Sequence, residues 1–145
     1  MIDAACHCGA VRFAVASAPK WVLDCNCSIC RRYGGLWTYM FGDDAMDLVA
    51  RPDPKATETY LWGDHELAFH RCKVCGCITH SEAVQRDPPV IFTLNARLMV
   101  GLDGASIPVR RRDNGHLGWF WTREDEPVRA GNHPPPPPPG PNDWR

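Results

Sequence analysis

A chain of 145 residues suits one domain and is short for two independent cores, because domains usually hold about 100–150 residues. Its residues are 44% hydrophobic and 23% charged, and no apolar run approaches the roughly 20 residues that span a bilayer, so a helical membrane protein is excluded. The formal net charge of −1 makes a poor footprint for a phosphate backbone, and nucleic acid is not an expected partner.

The chain begins MIDAACHCGAVRFAV, with no basic stretch ahead of an apolar one. No secretory signal is visible there, and the expected location is cytoplasmic. AVRFAVA (10–16) alternates as a strand does and ends at the turn signal Ala18-Pro19. LWTYMFG (36–42), aromatic and β-branched, follows Gly34-Gly35 and reads as the next strand. Arg51-Pro52-Asp53-Pro54 breaks the chain before a third strand, TETYLW (57–62), which Gly63-Asp64 closes. VIFTLNA (90–96) is a fourth, bounded by Asp87-Pro88-Pro89 and Asp103-Gly104. Arg110-Arg111-Arg112 reads as a solvated strand end, and Trp119-Phe120-Trp121 as a strand with both faces partly covered. No segment sustains a helical stripe, so the expected fold class is all-β with a thin core. From about Glu124 the chain turns polar and runs into HPPPPPPG (133–140), which favours an extended polyproline II arm. The expected organisation is a domain over 1–123 and a Pro-rich tail over 124–145, with Trp144 placed to dock back on the domain and the tail a possible protein-binding arm.

Eight cysteines fall in three clusters: Cys6-His7-Cys8, Cys25-Asn26-Cys27-Ser28-Ile29-Cys30 and Cys72-Lys73-Val74-Cys75-Gly76-Cys77. In a chain without an export signal they are expected as reduced thiols, and so close together they suit a metal ion better than disulfides. Structural zinc takes four ligands, whereas catalytic zinc takes three from the protein and keeps a position open. Two readings stand: two closed four-thiolate sites, or one closed site beside a three-thiolate site with one cysteine left over. The CxxCG of Cys72, Cys75 and Gly76 has the zinc-knuckle form, and Cys8-Gly9 looks similar. Pairing Cys6 and Cys8 with Cys72 and Cys75 staples the N-terminal strand to a distant hairpin. Cys25, Cys27 and Cys30 then remain, with water, a substrate thiol or Cys77 to complete them. Seven ionised thiolates and two zinc ions take the formal charge from −1 to about −4, which disfavours nucleic acid further.

The order CxCG, CxCSxCRR and CxxCGC, with VIFTLNARLM (90–99) behind it, resembles the glutathione-dependent formaldehyde-activating enzyme family, also called the centromere protein V domain family. The resemblance implies a β-tent fold of small stacked antiparallel sheets cross-linked by zinc. It implies a structural zinc on Cys6, Cys8, Cys72 and Cys75, and a second, catalytic zinc on Cys25, Cys27 and Cys30. The activity implied is that of a carbon–sulfur lyase, joining the glutathione thiol to formaldehyde as S-hydroxymethylglutathione. Arg31 and Arg32 are then candidates for glutathione carboxylates, and His70 and His80 for proton relays, although a lone histidine is more often a supporting residue. The rival class is a non-enzymatic, zinc-stabilised protein-binding module.

Overall fold

A computed structural model describes residues 1–121 apart from 26, 43–44, 62, 88, 103–106 and 116–117, with the backbone alone over 111–121. Among these residues the strands are β1 (Ile2–Ala5), β2 (Arg12–Val15), β3 (Val22–Cys25), β4 (Trp37–Tyr39), β5 (Leu48–Ala50), β6 (Thr57–Leu61), β7 (Leu67–Cys72), β8 (Ile78–Ala83), β9 (Val90–Asn95), β10 (Val109–Gly115) and β11 (Gly118–Trp121). Helix is limited to α1 (Cys30–Tyr33) and two 3₁₀ turns, Pro54–Ala56 and Ala96–Leu98. The fold is mostly β, and the four segments read as strands from alternation coincide with β2, β4, β6 and β9. No helix among the described residues is long and apolar enough to cross a membrane. The boundary expected near residue 123, the polyproline arm and Trp144 lie outside the described residues, as do the side chains of Arg111, Arg112 and residues 119–121.

The strands form a three-stranded sheet, β1-β2-β5, and an eight-stranded sheet, β11-β10-β3-β4-β9-β8-β7-β6. The larger sheet is antiparallel except where β10 runs parallel to β3, pairing Val109 with Val22 and Arg112 with Cys25. This pair departs from the purely antiparallel expectation, because most of the chain separates its two strands and no hairpin constrains their direction. The strand β10 contains the basic run, and the Arg110 guanidinium lies 4.3 Å from the centre of the Trp21 ring, a cation–π contact at the surface.

The main core lies between the two sheets. Ala4, Phe13 and Val15 from the small sheet meet Val22, Ile91 and Leu94 from the large one, with Met46, Ala96 and Met99 closing the layer. Asn95 fixes the end of β9 by donating to Ile78 O at 3.0 Å and accepting from the Leu36 and Arg97 amides at 3.3 and 3.2 Å. With so few large apolar residues, the core needs other ties between the sheets.

Candidate metal centres

One such tie stands where the sheets meet, built from two loops of matching shape. In the first, the Cys6 amide donates to Val11 O at 3.0 Å and the Gly9 amide to Cys6 O at 2.9 Å. In the second, the Cys72 amide donates to Cys77 O at 2.9 Å and the Gly76 amide to Cys72 O at 2.9 Å. Gly9 and Gly76 both sit at φ 75°, a left-handed conformation that glycine adopts without strain. Each loop folds its backbone amides onto its sulfurs. Cys6 Sγ accepts from Val11 N at 3.3 Å and Cys72 Sγ from Val74 N at 3.4 Å. The amides of Cys77 and Cys8 hold the Cys75 thiol down to about 5.

The sulfurs of Cys6, Cys8, Cys72 and Cys75 all lie within 4.8 Å of one another. Cys6 and Cys8 Sγ are 3.6 Å apart, and Cys8 and Cys72 Sγ 3.7 Å. A zinc–sulfur bond of about 2.3 Å puts tetrahedral sulfurs about 3.8 Å apart, so this donor set has the spacing and the amide support that zinc requires. Cys8 and Cys72 are 64 positions apart in sequence, and the site joins the end of β1 in the small sheet to the end of β7 in the large one.

Cys77 takes the place in the second loop that Val11 takes in the first, each closing its loop through a carbonyl. Its side chain is partly buried against Cys6, Val11 and Cys72, and it joins neither cysteine group. Cys77→Val is therefore expected to keep the wild-type zinc content and to change stability by less than about 1.5 kcal/mol, read by elemental analysis and denaturant unfolding.

The second group is local. Cys25 ends β3, Cys30 opens α1, and the turn between them is closed by the Arg31 amide donating to Cys27 O at 3.2 Å. The sulfurs of Cys25, Cys27 and Cys30 lie within 4.8 Å of one another, and no fourth His, Cys, Asp or Glu atom joins them among the described residues. Thiol hydrogen bonds from Cys25 and Cys30 pull Cys27 down to about 3, while its bond to Cys27 pushes Cys25 up to about 11.

The two glycines that follow the cluster have separate tasks. Gly34 caps α1 at φ 63°, ψ 24°, its amide donating to Cys30 O at 2.9 Å. A Cβ on Gly35 would stand 2.8 Å from the Trp37 ring. Gly35→Ala is expected to destabilise the fold by about 1–3 kcal/mol in denaturant titration, since Trp37 is buried among Leu23, Cys27 and Phe69 and has little room to withdraw.

The three thiols face a cavity of about 470 Å³, within the range of small-molecule sites. Its apolar wall includes Leu23, Ile29, Trp37, Phe69 and Phe92, and its polar groups come from Tyr39, Asp64, Glu66, Ser81 and Thr93.

Residues 1–99 match the family model described as glutathione-dependent formaldehyde-activating enzyme. The chain belongs to this family. The match takes in both cysteine groups and every residue lining the cavity. A crystal structure of a Rhodobacter sphaeroides protein shares the fold, with a TM-score of 0.51 and 24% identity over 74% of this chain and 98% of that one.

Other residues considered for the family's chemistry lie elsewhere. Arg31 and Arg32 are exposed on α1, neither lines the cavity, and Arg32 Nη1 donates to Ser28 O at 2.7 Å. His70 and His80 lie on the opposite face of the large sheet. Phe69 and Ser81 point into the cavity, and successive residues of a strand alternate faces, so the histidines point away. Asp64 and Glu66 belong to the polar turn after β6, and nothing in their sequence pattern marks them as part of the cavity lining.

Proposed function

We propose that the chain is a zinc-dependent carbon–sulfur lyase that joins the thiol of glutathione to formaldehyde, or a related small aldehyde, at Cys25, Cys27 and Cys30. The observation that carries this reading is the opening of a three-thiol group, without a fourth protein ligand among the described residues, into a cavity of about 470 Å³. Zinc bound there supplies an open coordination position at which a thiol loses its proton near neutral pH.

The chain's own residues hold and orient the reactants. Asp64 and Glu66 receive the amino group of the peptide, since they are the charged side chains of the cavity lining and both are acidic. Arg31 and Arg32, exposed beside the cluster, meet carboxylates that project out of the cavity. The apolar wall excludes water from a short-lived adduct. In the addition the sulfur–carbon bond forms, the carbonyl π pair moves to oxygen, and that oxygen takes up the proton released by the thiol. The hydroxyls of Ser81 and Thr93 are neutral donors on the cavity wall for the developing alkoxide. Ser81 Oγ and Thr93 Oγ1 are already paired at 2.7 Å, so one of them has its proton free to aim elsewhere.

All eight cysteines are free thiols, which suits a reducing compartment such as the cytoplasm. The test is carbon-13 exchange spectroscopy on labelled formaldehyde and glutathione at equilibrium. Exchange into S-hydroxymethylglutathione should be faster with the wild-type protein than with Cys27→Ser, and equal rates for the two proteins would overturn the assignment.

A further inference from the structure

On the face of the large sheet opposite the cavity, β7 and β8 bring together a second donor set. His70 and His80 are cross-strand partners, and Glu82 lies two residues beyond His80 on the same face. The imidazoles stack with centres 4.2 Å apart at 16°. His70 Nε2 stands 3.2 Å from Glu82 Oε2, and His80 Nε2 3.8 Å from Glu82 Oε1. The ligand atoms of all three lie within 4.8 Å of one another, and both histidines are buried.

Each ring has a threonine hydroxyl behind its Nδ1. His70 Nδ1 is 3.0 Å from Thr57 Oγ1, but the Thr57 hydroxyl donates its one proton to Pro54 O at 3.2 Å. His80 Nδ1 is 2.9 Å from Thr79 Oγ1, and the Thr79 hydroxyl donates to His70 O at 3.0 Å. A hydroxyl has a single proton, so when each threonine gives it to the carbonyl, the ring's Nδ1 is the donor to that threonine, and this is the tautomer a metal at Nε2 selects. In that tautomer each neutral ring turns an unprotonated Nε2 toward a carboxylate oxygen. His80 is almost wholly buried, which favours the neutral ring. A cation among these lone pairs takes the place that the ring protons hold in the other tautomer. Threonine hydroxyls that fix the tautomer from behind are what a metal-ligating histidine needs.

We propose that His70, His80 and Glu82 form a third metal site, which holds a divalent transition-metal ion of the zinc class through two imidazole Nε2 atoms and the carboxylate. Zinc–nitrogen and zinc–oxygen bonds of about 2.0–2.2 Å put neighbouring tetrahedral ligands about 3.3–3.6 Å apart, and the observed 3.2 and 3.8 Å bracket that range. Two imidazoles and a carboxylate suit zinc and its neighbours better than calcium or magnesium, which prefer oxygen. The opposing group is Arg51, whose Nη2 lies 3.5 Å from Glu82 Oε1. Arg51 is exposed, so this ion pair is weak and the guanidinium is free to swing into solvent when the ion enters past it. The site is independent of the cysteine groups and of the proposed reaction.

Zinc content by elemental analysis and zinc X-ray absorption test this on the whole chain. Wild-type protein loaded with zinc should carry one equivalent more than Glu82→Gln, and its absorption spectrum should show imidazole scattering that Glu82→Gln lacks while sulfur scattering stays in both. Thr57→Val, which frees the His70 tautomer, should weaken zinc retention about 10–100-fold against a competing chelator. Equal zinc content in wild type and Glu82→Gln, or a wild-type spectrum without imidazole scattering, would overturn the site. The wild-type spectrum decides by itself should Glu82→Gln fail to fold, because the thiolate groups contribute no imidazole signal.

Discussion

Replacing Cys72 by serine is expected to weaken metal binding at the site that joins the sheets and to lower the unfolding midpoint by on the order of 15 °C. The size follows from the binding energy of structural zinc, about 10–16 kcal/mol in small zinc-binding peptides, all of which appears as folding energy. Losing one ligand of four forfeits roughly 4 kcal/mol of this, and about 1 kcal/mol moves the midpoint of a chain this long by roughly 4 °C. The effect is large because Cys8 and Cys72 are 64 positions apart, so the bound metal closes a long loop and constrains the unfolded chain strongly. Thermal unfolding followed with zinc release measures it, with Cys77→Val as the control that should behave as wild type. A midpoint for Cys72→Ser within a few degrees of wild type would mean that the core between the sheets suffices alone.

Cys27→Ser should do the opposite, lowering kcat/KM for glutathione and formaldehyde at least about 100-fold while moving the midpoint by no more than about 5 °C. Cys25, Cys27 and Cys30 fall within one short turn, so a metal bound there closes almost no loop and contributes little to cooperative stability. Its contribution is chemical. A free thiol is only a few per cent ionised at pH 7, so complete ionisation alone supplies roughly 30-fold, and fixed placement beside the aldehyde supplies more. Exchange kinetics and thermal unfolding on the same preparation separate the two effects. Retained activity, or a midpoint loss equal to that of Cys72→Ser, would show that the second group is a structural element.

The cysteine pairing was legible because a zinc knuckle is a local object. CHCG and CKVCG each write out the turn, the glycine at its positive φ and the sulfurs it presents, so two loops of one shape could be paired before the fold brought their sulfurs together. The separation of the three-thiol group was readable for the same reason. Strands β2, β4, β6 and β9 were readable because alternation or β-branched and aromatic content marks them. Strands β7, LAFHRC, and β8, ITHSEA, were missed because both faces are covered, one by the cavity and one by the core, and buried His, Thr and Ser interrupt the pattern. That miss hid the pairing of His70 with His80. Ten positions apart they look unrelated, and only the hairpin register makes them neighbours. The cavity wall was hidden likewise, since β3, β4, β7, β8 and β9 each give it one to three residues, none distinctive alone.

The proposed chemistry depends on the second thiol group keeping a coordination position open to a substrate thiol. Titrating the cobalt-substituted protein with glutathione tests this most directly, because the sulfur-to-cobalt absorption bands count thiolates and are blind to the histidine site. A saturable rise in these bands worth one thiolate per chain is expected in wild type and Cys77→Val and is expected to be absent from Cys27→Ser. A wild-type spectrum unchanged at saturating glutathione would mean that the site is closed, and thiol activation would have to be abandoned.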